Sequence, residues 1–427
     1  MFFPFPIRRA ALAALISACA SVVWAVDPLS LPEALRIAAD HSQQLKALDA
    51  LRSAAREQAV AAGQLPDPVL TLGVDNLPVN GPDAFNLTND FMTMRRIGVM
   101  QEVVSSKKLR LRTQKFGQEA LRVQAQRQWA LSRLKRDTAM AWLDVYYTRG
   151  IRALVQQQID ETGLQAQAAD IAYRSGKGSQ ADVFAARAAI LGLEDRLRQS
   201  DAQLRKARLI LARWVGSEAE RPLSGQPPWQ TTPGLGSLSG EHLRQHSDLL
   251  AMRAEIDAAQ TDVQLAQANT QADWSVEASY SQRGPAYSNM LSFGVSIPLQ
   301  LDRKNRQHRE TAVKQAMVHE AQARYEDLLR SHEAEVRGLV NDWQSGKERL
   351  ARIQEALIPT TQQRVEATLI AYRTGKTDLA IVLAARGDAI DARMQALTVE
   401  LDTARAWAQL NFLLPERDGV ATTKDLP

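Results

Sequence analysis

The segment Ala172-Tyr-Arg-Ser-Gly-Lys177 occurs twice: it returns as Ala371-Tyr-Arg-Thr-Gly-Lys376, 199 positions on (Tyr173 to Tyr372). Val183, Ala185, Ala186 and Arg187 recur as Val382, Ala384, Ala385 and Arg386 at the same displacement. A match of this kind, about half of 427 residues apart, marks a tandem duplication, so the fold must be built twice from one plan. Each copy follows a long helical pattern and precedes a shorter one. It reads as a helix–turn–helix tip, in which Gly176 and Gly375 take the positive φ that ends the incoming helix.

Between Ser105 and Arg174 there is no proline and little glycine. About 70 residues at 1.5 Å each make a helix on the order of 105 Å long, which needs a partner along its whole length. The return helix supplies it. Val183, Ala186, Ile190, Leu193, Leu197, Ser200, Leu204, Ala207, Leu211 and Trp214 step 3-4-3-4 without a break, a coiled-coil seam. In the second copy the same register gives Val382, Ala385, Ala389, Ala392, Ala396, Val399, Thr403, Ala406, Leu410 and Leu413, whose small side chains allow closer helix approach.

The remaining elements also come in pairs. Leu31-Pro-Glu-Ala-Leu35 opens a helix predicted to run to about Gln64, where Leu65-Pro66-Asp67-Pro68 stops it. From Val69 the period is two, with Leu70, Leu72 and Val74 alternating with Thr71, Gly73 and Asp75. Phe91 to Gln101 reads as the return strand of a hairpin. In the second half a helix is expected from about Ser239 to Ala272. A strand carrying Val276, Ala278 and Tyr280 follows, then a return strand carrying Leu291, Phe293, Val295 and Ile297. A second very long helix is expected from Asp302 to about Arg373.

Arg8 and Arg9 precede an apolar run from Ala10 to about Val23, and Val23-Trp24-Ala25 fits a cleavage site, so residues 1–25 read as a secretory signal peptide. Cys19, the one cysteine, lies within that run in Ile16-Ser17-Ala18-Cys19, a permissive match to a lipidation site; it either carries lipid or leaves with the signal. The predicted division is therefore a signal (1–25), a first repeat (26–215), a linker (216–237), a second repeat (238–414) and a polar tail (415–427).

After residue 26 no apolar run reaches 18 residues, so an exported chain of this kind is either soluble or crosses a membrane as a closed β-barrel. Four strands cannot close, and an open edge cannot sit in lipid. Three chains giving four strands each make twelve, which closes. A soluble periplasmic coiled-coil scaffold with two hairpins shows much of the same pattern.

With these tips, Phe293-Gly-Val-Ser-Ile-Pro298 ending the last strand and Leu31 to Leu35 opening the first helix, the chain resembles the TolC-like outer-membrane factors. The resemblance implies a mainly α fold with a small β part: long coiled-coil hairpins and two β-hairpins per chain. As a homotrimer these form a 12-strand barrel in the outer membrane of a Gram-negative bacterium and a 12-helix barrel in the periplasm. It implies a passive conduit, docked on a periplasmic adaptor protein and an inner-membrane pump. Phe91 to Glu102, preceded by Asp75-Asn-Leu-Pro78, looks like the heavy-metal branch. Drug or organic-compound efflux and type I secretion are the alternative cargoes.

The resemblance also places the periplasmic gate at Tyr173, Gly176, Asp182, Tyr372, Gly375 and Asp378, with Asp182 accepting a hydrogen bond from Tyr372 in the closed state. Where a well-studied relative carries two carboxylate rings, this chain has Ile381 and Ala384, with Asp378 and Asp388 nearby. Met92, Met94 and Met100 share strand parity and are the candidate soft-metal ligands, although methionine on a strand is more often packing.

No Gly-rich phosphate loop, nucleophile elbow or Cys/His pairing appears, so neither an enzyme nor a cofactor is expected. The net charge of +4 is small, with acids and bases interleaved along helices, which argues against a nucleic-acid surface. The six histidines lack metal-site spacing; His41 and His246 recur at related places, as duplication requires.

Overall fold

The computed structural model describes residues 27–230 and 243–413. The expected signal peptide, Cys19, the second part of the linker and the tail lie outside the described residues. The first long helix, Ser106–Arg174, is unbroken over 69 residues. Ser105 starts it, its hydroxyl accepting from the Lys108 N–H. This helix is the spine of the protein. Gln43–Ala62 flanks its first part, Gln180–Val215 returns along its second, and Ser247–Ala268 and Leu379–Asn411 pack on other faces.

Both predicted seams face inward. Val183, Ala186, Ser200, Leu204, Ala207 and Leu211 are buried in the first; Val382, Ala385, Ala392, Ala396, Val399, Thr403 and Ala406 are buried in the second. The second seam brings a close crossing that sequence alone does not reveal. Gly346, on the second long helix, faces Thr403 so closely that an added Cβ would collide with the threonine side chain. Gly346→Ala is therefore expected to lower stability by about 1–3 kcal/mol through overpacking. That is opposite in sign to the roughly 1 kcal/mol gain that Ala gives in an open helix. An unchanged or raised denaturation midpoint would refute the close crossing.

Three predicted boundaries differ from the structure, each for a local chemical reason. The helix from Leu31 is two helices, Leu31–His41 and Gln43–Ala62, because the Ser42 hydroxyl accepts from Leu45 N–H and recaps the chain. The return strand begins at Met94, not Phe91, because the Asp90 carboxylate accepts from Met92 and Thr93 N–H and holds a turn there. The second long helix begins at Gln307, since Asp302 accepts from Asn305 N–H and turns the chain first. It is also not continuous. Gln307–Arg352 passes through a π segment, Ile353–Leu357, into Ile358–Arg373. Pro359, two residues after the segment, cannot donate and would crowd the carbonyl four residues back; the wider turn accommodates both. Ser247–Ala268 is helical after a turn at 244–246, and the helix start expected at Ser239 lies outside the described residues.

The main core lies midway along the helices, around Trp142, Leu143, Tyr147, Leu211, Val215, Trp343 and Trp407. The described part of the linker folds into it. Leu223–Ser224 pairs in parallel with Leu29–Ser30 (β4 with β1), and Trp229 is buried. Trp343 Nε1 donates to Trp229 O at 2.7 Å, while Trp229 Nε1 and Tyr147 OH both donate to Glu400 Oε1. Burial and the Glu400 charge push the Tyr147 phenol well above its ordinary range, so it remains a donor.

The strands Val69–Asp75 (β2), Met94–Val103 (β3), Trp274–Gln282 (β5) and Met290–Ser296 (β6) form one antiparallel sheet in the order β2-β3-β5-β6. The two hairpins thus join through β3 and β5. Among the described residues, the outer edges of β2 and β6 have no strand partner.

Candidate functional site

The register sorts the sheet into two faces. On one, Leu70, Val99, Ala278 and Phe293 form a row beside Leu72, Ile97, Tyr280 and Leu291. On the other, Thr71, Gly98, Ser279 and Ser292 align, and Arg96 lies 3.2 Å from Asp75 and 3.7 Å from Glu277. The apolar face is bare: Leu72 is 71% and Phe293 78% exposed. A monomeric soluble protein rarely leaves an apolar patch of this kind uncovered.

The candidate methionine ligands are not brought together. Met92 lies in the turn before β3, and Met94 and Met100 are six residues apart on it. At about 3.4 Å per residue that is roughly 20 Å, too far to share one ion.

The two tips are built alike. Gly176 has φ +71° and Gly375 φ +70°. Lys177 N–H donates to Ala172 O and Gly176 N–H to Tyr173 O; Lys376 N–H donates to Ala371 O and Gly375 N–H to Tyr372 O. This is the Schellman ending in both repeats, which explains the conserved spacing between the copies. Ala169, Val183, Ala186, Leu379 and Val382 form a small apolar cluster behind the tips, and Tyr372 packs against it. Its repeat mate Tyr173 is 45% exposed, so the two tyrosines differ in environment.

Asp182 joins the tips, but not as expected. One oxygen accepts from Ser179 N–H, completing a capping box on its own helix. The other accepts from Leu379 N–H at 3.2 Å, at the start of the second return helix. There the residue at the N-cap, Asp378, makes no side-chain capping bond, so Asp182 supplies the cap from the other repeat. Both oxygens thus take backbone donors in place of the expected Tyr372 hydroxyl. Tyr372 lies close enough that burial first, and the Asp182 charge second, raise its phenol above the ordinary value.

Ile381 is exposed, and Asp388 pairs with Arg364 at 2.5 Å, so that carboxylate is not a free one at the tip. Arg386 reaches Glu161 at 3.1 Å across the groove between the repeats.

A further group escapes the sequence reading. His246 and His332, 86 residues apart in the chain, are both buried with their ring nitrogens in contact, and His332 Nδ1 lies 3.2 Å from Asp248 Oδ2. Burial, with the neighbouring His332, pushes His246 down to about 4. The pairing has no local signal, since it is made by two helices meeting.

Residues 238–415 match the family model "Outer membrane efflux protein". The chain is 26% identical over 254 residues to the cobalt-zinc-cadmium resistance protein CzcC of Cupriavidus metallidurans, a match covering 58% of this chain. It spans 60% of that relative's length. In fold it is similar to a crystal structure of CusC, with TM-score 0.75 and 15% identity over 90% of each chain. It is also similar to the open state of the Neisseria gonorrhoeae MtrE outer membrane channel, with TM-score 0.72 and 16% identity over 90% of this chain and 88% of that one.

Proposed function

We propose, from the match of residues 238–415 to the outer membrane efflux protein family, that three copies form a passive outer-membrane conduit carrying heavy-metal cations out of the periplasm. The observation that carries this reading is the four-stranded sheet with one bare apolar face and two unpaired edges among the described residues. Open edges are not tolerated in hydrocarbon, whereas twelve strands are an even number within the range of closed barrels. The apolar face then meets lipid, and the face bearing Thr71, Arg96, Ser279 and Ser292 lines water. The long helices, about 100 Å at 1.5 Å per residue, carry the conduit away from the bilayer to the tips. There a periplasmic adaptor and an inner-membrane pump dock, and the pump supplies the energy.

The cargo assignment is supported by the similarity to CzcC, whose name records cobalt, zinc and cadmium resistance. A strain lacking the chain is expected to lose growth in zinc, cobalt or cadmium while keeping its tolerance of hydrophobic drugs. Drug sensitivity without metal sensitivity would move the cargo to organic compounds.

Asp182 holds the tips of one protomer together, which supports a part in keeping the periplasmic end narrow. Asp182→Ala removes a capping interaction, costing about 1 kcal/mol. It is expected to raise single-channel conductance in planar bilayers, whereas Tyr372→Phe, which leaves both Asp182 bonds intact, changes little. Equal conductance of Asp182→Ala and the parent would remove Asp182 from the gate.

A further inference from the structure

We propose that His246, His332 and Asp248 form a binding site for a divalent transition-metal ion of the zinc type, one in each chain, outside the conduit's gate and sheet. The two imidazoles are 3% and 4% exposed and stand edge to face, with ring centroids 4.6 Å apart and planes at 85°. His246 Nδ1 and His332 Nε2 point at each other. Asp248 Oδ2, 3.2 Å from His332 Nδ1, sets that ring's tautomer: the proton sits on Nδ1, and the Nε2 lone pair is turned toward His246. The other carboxylate oxygen accepts from Leu249 N–H, which fixes the group in place.

Two nitrogen donors converging in a buried place, with a carboxylate beside them, are the ligand types that zinc and its neighbours take. A bare capping role does not account for the arrangement. His246 stands at the N-cap of Ser247–Ala268 and makes no side-chain capping bond; its ring is directed instead to His332 on the second long helix. In the first repeat the matching helix has an ordinary cap, the Ser42 hydroxyl on Leu45 N–H, and His41 is exposed. His332 falls on Arg133 at the 199-residue displacement of the tips and on Arg127 at the 205-residue displacement of His41 and His246 (246 − 41), so neither gives a second histidine. The nitrogen pair therefore belongs to the second repeat alone and is not a by-product of the shared plan.

The site is independent of what the conduit carries. The full chain, purified in detergent and stripped with a chelator, is expected to take up one Zn2+ per chain. Co2+ used as a probe should give the visible absorption of a four-coordinate site at the same stoichiometry. His246→Gln and His332→Gln are each expected to lose that ion, and Asp248→Asn to weaken it 10–100-fold. His319→Gln, at an exposed position, should retain it. If the parent binds no more Zn2+ than the His246→Gln/His332→Gln double variant, the proposal fails and the pair shares only a proton. Should a variant not fold, the parent decides: Zn2+ must raise its melting temperature, and no rise overturns the site.

Discussion

Phe293→Arg is expected to abolish accumulation of the protein in the outer membrane, whereas Ser292→Arg, one residue away, is expected to leave accumulation intact and alter conductance. The two positions are neighbours on β6 but face opposite sides of the sheet. Phe293 is the fourth of seven residues in that strand, so in the proposed barrel its side chain would meet lipid near mid-depth. An arginine there costs about 2–4 kcal/mol per chain. Three copies in one barrel raise the total to roughly 6–12 kcal/mol, comparable to the whole stability of an ordinary domain. At Ser292 the new guanidinium enters the polar face, where water solvates it and its charge changes the permeating ions' environment. Equal loss for both variants would mean that the sheet is not two-faced, and equal tolerance that it does not contact lipid.

The second large effect is expected beneath the sheet, where the repeats are bolted together. Lys108, in the first turn of the first long helix, is 3% exposed. Its ammonium lies 2.9 Å from the Asp273 carboxylate, just before β5, and donates to the Gln271 carbonyl at 2.5 Å. Removing the acid leaves a buried cation without its counter-charge, a loss of about 3–5 kcal/mol. Asp273→Ala should therefore lower the denaturation midpoint sharply and expose the segment before β5 to protease. Replacing both partners by apolar residues of similar volume is often neutral or stabilising. Lys108→Met with Asp273→Leu is thus expected to regain most of the loss. If the double variant is no better than Asp273→Ala alone, the buried charge is not the cause.

What the sequence disclosed and what it withheld divide along the range of the interaction. The tips were readable because a positive-φ glycine after a helix, repeated at one displacement, is a local signal; the two sets of Schellman bonds at Gly176 and Gly375 follow from it. The strands were readable because period-two alternation states the faces in advance. The breaks at Ser42, Asp90 and Asp302 were local too, but each rests on a side chain choosing a backbone N–H over solvent, which periodicity does not register. The second long helix, expected to be continuous, instead passes through a π segment just before Pro359. The contacts that cross between elements left no trace. Gly346 against Thr403, Lys108 with Asp273, and His246 with His332 depend on how helices and loops meet. The sequence singles out Asp182, but its partners in the structure are backbone groups, which no sequence motif names.

The proposed conduit requires three chains to complete the sheet. Light scattering of protein extracted from the outer membrane, corrected for bound detergent, should give three chains per particle and no smaller folded species. A well-folded monomer recovered from the soluble extract without detergent would contradict it.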